Sequence, residues 1–136
     1  MIRCLIVDDS PTFRGILRRL LAKAPNVEVV GEAGDGEEAL ARTLELKPDV
    51  LTMDVHMPRR NGLEAIAEIM RVRPTPIVVV SAAAGGANEE LSFQALKLGA
   101  VEVLGKPNAL DPHRFEVQSE AIRQAVRAVS GLTLVT

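Results

Sequence analysis

Five short apolar runs recur along the chain, at residues 5–7, 27–30, 50–53, 77–80 and 101–104. Each is too short for a buried helix and rich in Val or Ile, which predicts five strands. The first, third and fourth run almost unbroken, as expected of central parallel strands covered on both faces. Between the runs, apolar residues fall at helical spacing. Phe13, Ile16, Leu17, Leu20 and Leu21 form one stripe, with Ser10 placed to cap that helix and Pro11 at its first position, where a missing N–H costs nothing. Asp35 and Glu38 have capping-box spacing ahead of Leu40 and Leu44. Leu63, Ile66, Ala67 and Met70 mark a third helix, with Pro74 beyond its end. A fourth starts near Asn88, carries Leu91, Ala95 and Leu98, and stops at Gly99. The last sets Ile122, Ala125, Val126 and Val129 on one face. Strand and helix thus alternate five times, which predicts an α/β fold with a parallel sheet and helices on both faces. The small-residue run 82–87 reads as a mobile strand-to-helix loop, and the tail from Ser130 to Thr136 as a fraying end or the start of a linker.

Composition narrows the function. At 136 residues, 47% hydrophobic and 25% charged, the chain is one globular domain and too short for two. Three Phe with no Tyr or Trp provide no platform for stacking bases, and 16 basic against 18 acidic residues give no pull toward phosphate backbones. Direct nucleic-acid binding is therefore not expected. The single cysteine, Cys4, allows no internal disulfide, fits a reducing compartment and reads as a small buried hydrophobe. No apolar run approaches the roughly 20 residues of a membrane span, and the first residues lack a secretory signal. These features predict a cytoplasmic domain that does not engage a membrane.

The candidate chemistry lies where the runs end. In a doubly wound sheet, ligands bind outside the C-terminal ends of the strands. There the first run gives Asp8-Asp9-Ser10, the third Asp54, the fourth Ser81 and the fifth Gly105-Lys106-Pro107. If the first and third strands are neighbours, Asp8, Asp9 and Asp54 converge. Clustered carboxylates repel and raise one another's pKa values, and a divalent cation relieves this; an all-oxygen site suits Mg²⁺. A lysine and a serine on the same edge complete the means of holding a phosphoryl group. Taken singly, each residue has a plainer reading: a turn at Asp8-Asp9 or Asp54, a cap at Ser81, a solvated Lys106. At the ends of four separate strands, such residues point together to function. His56 has no second His or Cys beside it, and His113 reads as an exposed loop residue, so neither supports zinc.

Leu5-Ile6-Val7-Asp8-Asp9-Ser10, Asp54-Val55-His56-Met57-Pro58 with Asn61-Gly62, Ser81-Ala82 and Lys106-Pro107 together resemble the receiver domain of two-component response regulators. The likeness covers residues 1 to 128 as a receiver domain, leaving 129–136 as a tail or the start of a linker to an output domain. It implies a flavodoxin-like (βα)5 fold with strand order 2-1-3-4-5. It further implies Asp54 as the acceptor of a phosphoryl group from a sensor histidine kinase. Asp8, Asp9, Asp54 and the backbone carbonyl of His56 would hold Mg²⁺, Ser81 would be the switch hydroxyl, and Lys106 would pair with the phosphoryl group. A cis Lys106–Pro107 bond is implied as well. A narrower likeness, carried by Arg73-Pro74-Thr75-Pro76 through Ser81 and by Ala95-Leu96-Lys97-Leu98-Gly99-Ala100, is to the receiver of chemotaxis protein-glutamate methylesterases. The chain departs from the wider family at Val103, where an aromatic ring often relays the switch.

The expected function is a phosphorylation-dependent switch in chemotaxis-type signalling. Its fourth helix, fifth strand and fifth helix would form the face that controls an output domain or protein target, and the chain itself would be a monomer or weak homodimer. Phosphotransfer to itself and autodephosphorylation would be its only reactions, while a longer parent protein would be the methylesterase. The rival is a Mg²⁺-dependent phosphohydrolase with an Asp nucleophile, in which His56 would have to serve as acid. A flavodoxin-like nucleotide binder is a third reading, disfavoured by the acidic first turn.

Overall fold

The computed structural model describes residues 1–55, 62–82 and 89–131. Each apolar run is a strand: β1 (Ile2–Val7), β2 (Val27–Ala33), β3 (Val50–Met53), β4 (Ile77–Ser81) and β5 (Glu102–Gly105). They alternate with α1 (Pro11–Ala22), α2 (Gly36–Leu46), α3 (Gly62–Val72), α4 (Glu89–Leu98) and α5 (Pro112–Val129). Every strand pair is parallel, in the order β2-β1-β3-β4-β5, as expected. Among the described residues no helix is long and apolar enough to cross a membrane.

The strand pleat divides the interior into two layers. Cys4, Ile6, Val50, Val78 and Val80 face α1 and α5, where they meet Leu17, Leu20, Leu21, Ile122 and Val126. Their sequence neighbours Leu5, Val7, Leu51, Met53, Ile77 and Val79 face the other way, onto Ala39, Ala65, Ile66, Ile69 and Ala95 of α2, α3 and α4. β3 and β4 are buried at every position, which is why their sequences lack the usual apolar–polar alternation. Cys4 is wholly enclosed, and burial pushes its thiol up to about 12, against a hydrogen bond with the backbone of Thr52, so it is inert as a nucleophile.

The helix starts follow their sequence signals. The Ser10 hydroxyl accepts the Phe13 N–H at 3.1 Å, with Pro11 opening α1. Asp35 accepts the Glu38 N–H at 2.8 Å while Glu38 reaches back to the Gly34 N–H at 3.3 Å. Gly99, at φ +125°, ends α4 as only glycine readily does. Ser10→Ala is expected to cost about 1 kcal/mol of stability by orphaning that N–H, measurable as a lower urea midpoint at unchanged slope.

The middle helices turn Leu40, Leu63, Ile66, Met70, Leu91 and Ala95 toward the core as expected, and differ from expectation at Leu44, Ala67 and Leu98. In α2 the buried residues are Gly36, Ala39 and Thr43, with Leu44 43% exposed. In α3 they are Gly62, Ala65, Ile66 and Ile69, and Ala67 faces out. Among the described side chains of α4, Ala95 alone is buried, and Leu98 is 39% exposed. Small residues let these helices approach the sheet closely, and that approach, rather than the positions of the largest side chains, sets their rotation. On the other layer, Ile122, Ala125, Val126 and Val129 all turn inward as predicted. They are joined by Arg123, which donates to the Leu20 carbonyl at 3.4 Å and to Glu116 at 2.6 Å, tying α5 to the end of α1.

Candidate functional site

The strand order reverses between β1 and β3, and the acidic residues gather there. The pairing of Val7 with Met53 puts the next residues of the two strands side by side. Each ladder is extended by one bond: the Asp8 N–H donates to Ala33 O at 3.0 Å and the Asp54 N–H to Val7 O at 3.0 Å. Asp8, Asp9 and Asp54 thereby present carboxylate oxygens within 4.8 Å of one another. Asp8 and Asp54 are buried, and Asp9 faces solvent.

Lys106 arrives from the opposite direction. Ser81 pairs with Gly105, and the Lys106 N–H donates to the Ser81 carbonyl at 3.1 Å. Its side chain crosses the end of β4 and brings Nζ to 2.9 Å from Asp8 Oδ2 and 3.2 Å from Asp54 Oδ2. Asp8 is held at both oxygens, since its Oδ1 also accepts the Ser10 N–H at 2.8 Å. Burial pushes the Asp8 carboxyl up and outweighs the hydrogen bonds from Lys106 and Ser10, and the charge of Asp54 adds to the rise. Burial works against the Lys106 ammonium too, but its hydrogen bond to Asp8 and the charges of Asp54 and Asp8 prevail and hold it above the usual lysine range. Lys106 therefore stays a cation between two carboxylates.

Ser81 is buried at the end of β4, next to exposed Ala82. The structure thus brings Asp8, Asp9, Asp54, Ser81 and Lys106 to one sheet edge. The expected ligand carbonyl of His56 and the loop at 83–88 lie outside the described residues. His113 is exposed, as expected, but it lies in the first turn of α5 rather than in a loop, its N–H donating to the Asp111 carboxylate at 3.1 Å. Val103, in place of a relay aromatic, is half-buried against the core layer of α2, α3 and α4. The expected cis Lys106–Pro107 bond is not found: no peptide bond among the described residues is cis. The trans form is lower by about 0.5–1 kcal/mol for an X–Pro bond, and on its far side the Asn108 N–H donates to Gln118 Oε1 at 2.8 Å.

Two neighbours were not singled out from the sequence. The Phe13 ring centroid lies 4.3 Å from Lys106 Nζ, although its place on the α1 stripe marks it only as core. Arg14 donates to the Asp8 carbonyl at 2.6 Å and to Glu32 at 2.9 Å, and Arg18 closes on the same carboxylate at 2.8 Å. Burial tends to raise the Glu32 carboxyl, but the hydrogen bonds and charges of Arg18 and Arg14 outweigh it and the net shift is downward. A carboxylate lowered on folding stabilises above its unfolded pKa, and that contribution is lost as pH falls through the folded value. Glu32→Gln is therefore expected to lower stability at neutral pH by less than about 1 kcal/mol, as for a partly exposed pair. The gap between variant and wild type should close in acid, as followed by chemical denaturation across pH.

Comparison with known proteins agrees with this geometry. A model of the response regulator receiver domain matches residues 4–115. A protein-glutamate methylesterase/protein-glutamine glutaminase of Syntrophus aciditrophicus is 42% identical over 135 residues; the match covers 99% of this chain and 38% of that relative, so the chain spans well under half its length. Among solved structures, the response regulator domain of Thermotoga maritima CheB superposes with a TM-score of 0.88 at 36% identity, covering 98% of this chain and 99% of that one. The CheX-CheY-BeF3-Mg+2 complex of Borrelia burgdorferi matches with a TM-score of 0.78 at 25% identity, covering 94% of this chain and 88% of that one. With its acidic edge, its lysine and the family match along most of its length, the chain belongs to the response regulator receiver domain family.

Proposed function

We propose that the chain is a phosphorylation-controlled switch whose phosphoacceptor is Asp54, charged from a phosphohistidine of a sensor histidine kinase. The observation that carries this reading is the lysine ammonium set between Asp8 and Asp54 at the strand-order reversal. An Asp54 oxygen forms the new P–O bond as the P–N bond of the phosphohistidine breaks, and the electron pair stays on the imidazole nitrogen. Lys106 supplies positive charge to the incoming oxygens, its ammonium lying against Asp8 before they arrive. Ser81, at the end of the neighbouring strand, is the hydroxyl that turns to the phosphoryl group. The face of α4, β5 and α5 then changes, with no aromatic at Val103 to relay the movement.

Asp8, Asp9 and Asp54 fit Mg²⁺: the donor set is all oxygen, the three groups already converge, and their mutual repulsion calls for a divalent charge. When bound, that ion neutralises phosphoryl oxygens and makes the phosphorus easier to attack. The Mg²⁺ and beryllofluoride named for the Borrelia burgdorferi relative support this reading. The likeness to a protein-glutamate methylesterase supports chemotaxis-type output, with residues 1–128 as the receiver of such an enzyme. No contact among the described residues favours the phosphohydrolase alternative.

Acetyl phosphate and Mg²⁺ are expected to add one phosphoryl group to the chain, seen by intact-mass spectrometry. Absence of the adduct, or an adduct mapped away from Asp54, overturns the reading.

A further inference from the structure

Lys106 hangs from the end of β5 on a flexible side chain, yet its ammonium must stay at the mouth of β1 and β3. Two of its contacts are Asp8 Oδ2 and Asp54 Oδ2, at 2.9 and 3.2 Å. Both carboxylates acquire new partners when a phosphoryl group and a cation arrive, so neither is a fixed anchor. The third contact is of another kind. Nζ lies 4.3 Å from the centroid of the Phe13 ring, which is only 8% exposed. A cation over a ring face is attracted by the ring's quadrupole, and more strongly where water is excluded.

The ring is itself firmly placed. Phe13 stands in the first turn of α1, its N–H bound to the Ser10 hydroxyl at 3.1 Å, and its side chain joins the core layer under α1 and α5. The contacts close on themselves: Asp8 takes the Ser10 N–H, Ser10 caps Phe13, Phe13 faces Lys106, and Lys106 returns to Asp8. The turn that presents the acidic pair thus also aims the lysine. By contrast, Phe93 meets Lys97 at 5.3 Å on the outside of α4, where the ring is 57% exposed.

We propose that Phe13 is a positioning residue for phosphoryl uptake, its ring face holding the Lys106 ammonium over the strand ends while Asp54 changes partners. This rests on Asp54 as phosphoacceptor.

Fluorines placed stepwise on the Phe13 ring drain its face of charge with little change in size. The rate of adduct formation from acetyl phosphate and Mg²⁺ is expected to fall with each added fluorine, by roughly threefold to tenfold across the series, with Phe13→Tyr within about twofold of wild type. The same fluorines at Phe93 should change nothing. In the metal-free chain, the ring current should shift the Lys106 Cε protons upfield in NMR spectra, and Phe13→Leu should return them to ordinary positions. A flat fluorine series, or unshifted Lys106 protons in the wild type, overturns the inference. If the unsubstituted chain takes up no phosphoryl group while the upfield shift is present, it is the Asp54 reading that has failed, and the inference falls with it.

Discussion

Asp54→Asn is expected to abolish uptake of a phosphoryl group from acetyl phosphate, a loss on the order of a thousandfold or more, as for removal of a nucleophile. The amide keeps the shape of the side chain but has no anionic oxygen to attack phosphorus. A second consequence separates loss of the nucleophile from loss of the fold. The Asp54 charge contributes to the upward shift of Asp8, so in the variant the Asp8 carboxyl should titrate at lower pH than in wild type. Intact-mass spectrometry reads the first effect and carboxyl ¹³C NMR the second. A variant that still gains one phosphoryl group would move the acceptor to another residue.

Gly62→Ala is expected to have the largest effect on stability. Gly62 opens α3 directly against the end of β3, and its N–H donates to the Val55 carbonyl at 3.2 Å. A Cβ there would stand 2.3 Å from Val55 Cα and 2.6 Å from the Asp54 carbonyl oxygen. Both obstacles are backbone, so no rotamer change relieves them and α3 must move off the sheet. The cost should be about 2–3 kcal/mol, in the range of overpacking a core, or roughly 8–12 °C in Tm for a domain of this size. Because the strained backbone includes Asp54, phosphoryl uptake should slow as well. Gly15→Ala is the matching control: Gly15 lies within α1 with nothing within 4 Å of a new Cβ, and the change should stabilise by about 0.5–1 kcal/mol. Equal Tm values for the two variants would refute the packing argument.

The chemistry was legible in the sequence because it is local to strand ends. A buried parallel strand is an apolar run and the polar residues at its end mark the sheet edge; Asp8, Asp54 and Ser81 each follow such a run directly, and Lys106 follows one after Gly105. The caps at Ser10 and Asp35 were legible for the same reason, since a side chain bonding an N–H two or three residues on depends on nothing distant. The inward faces of α2, α3 and α4 were legible only in part, at Leu40, Leu63, Ile66, Met70, Leu91 and Ala95. Leu44 and Leu98 are apolar at helical spacing yet stay 43% and 39% exposed, because Ala39, Thr43 and Ala95 allow the closer approach.

From the sequence alone came the alternation of five strands and five helices, the sheet edge that carries the carboxylates, serine and lysine, and the likeness to receiver domains. Tertiary structure alone decided what those groups touch. Lys106 lies 98 residues from Asp8 and 93 from Phe13 in sequence, and meets both only because β1 and β3 sit together at the centre of the sheet with β5 at its edge. Arg123, a charged residue of α5, is turned inward onto the end of α1 by the same packing. Contacts of this kind depend on strand order and helix rotation, which are set by burial summed over the whole chain rather than by any local run of residues.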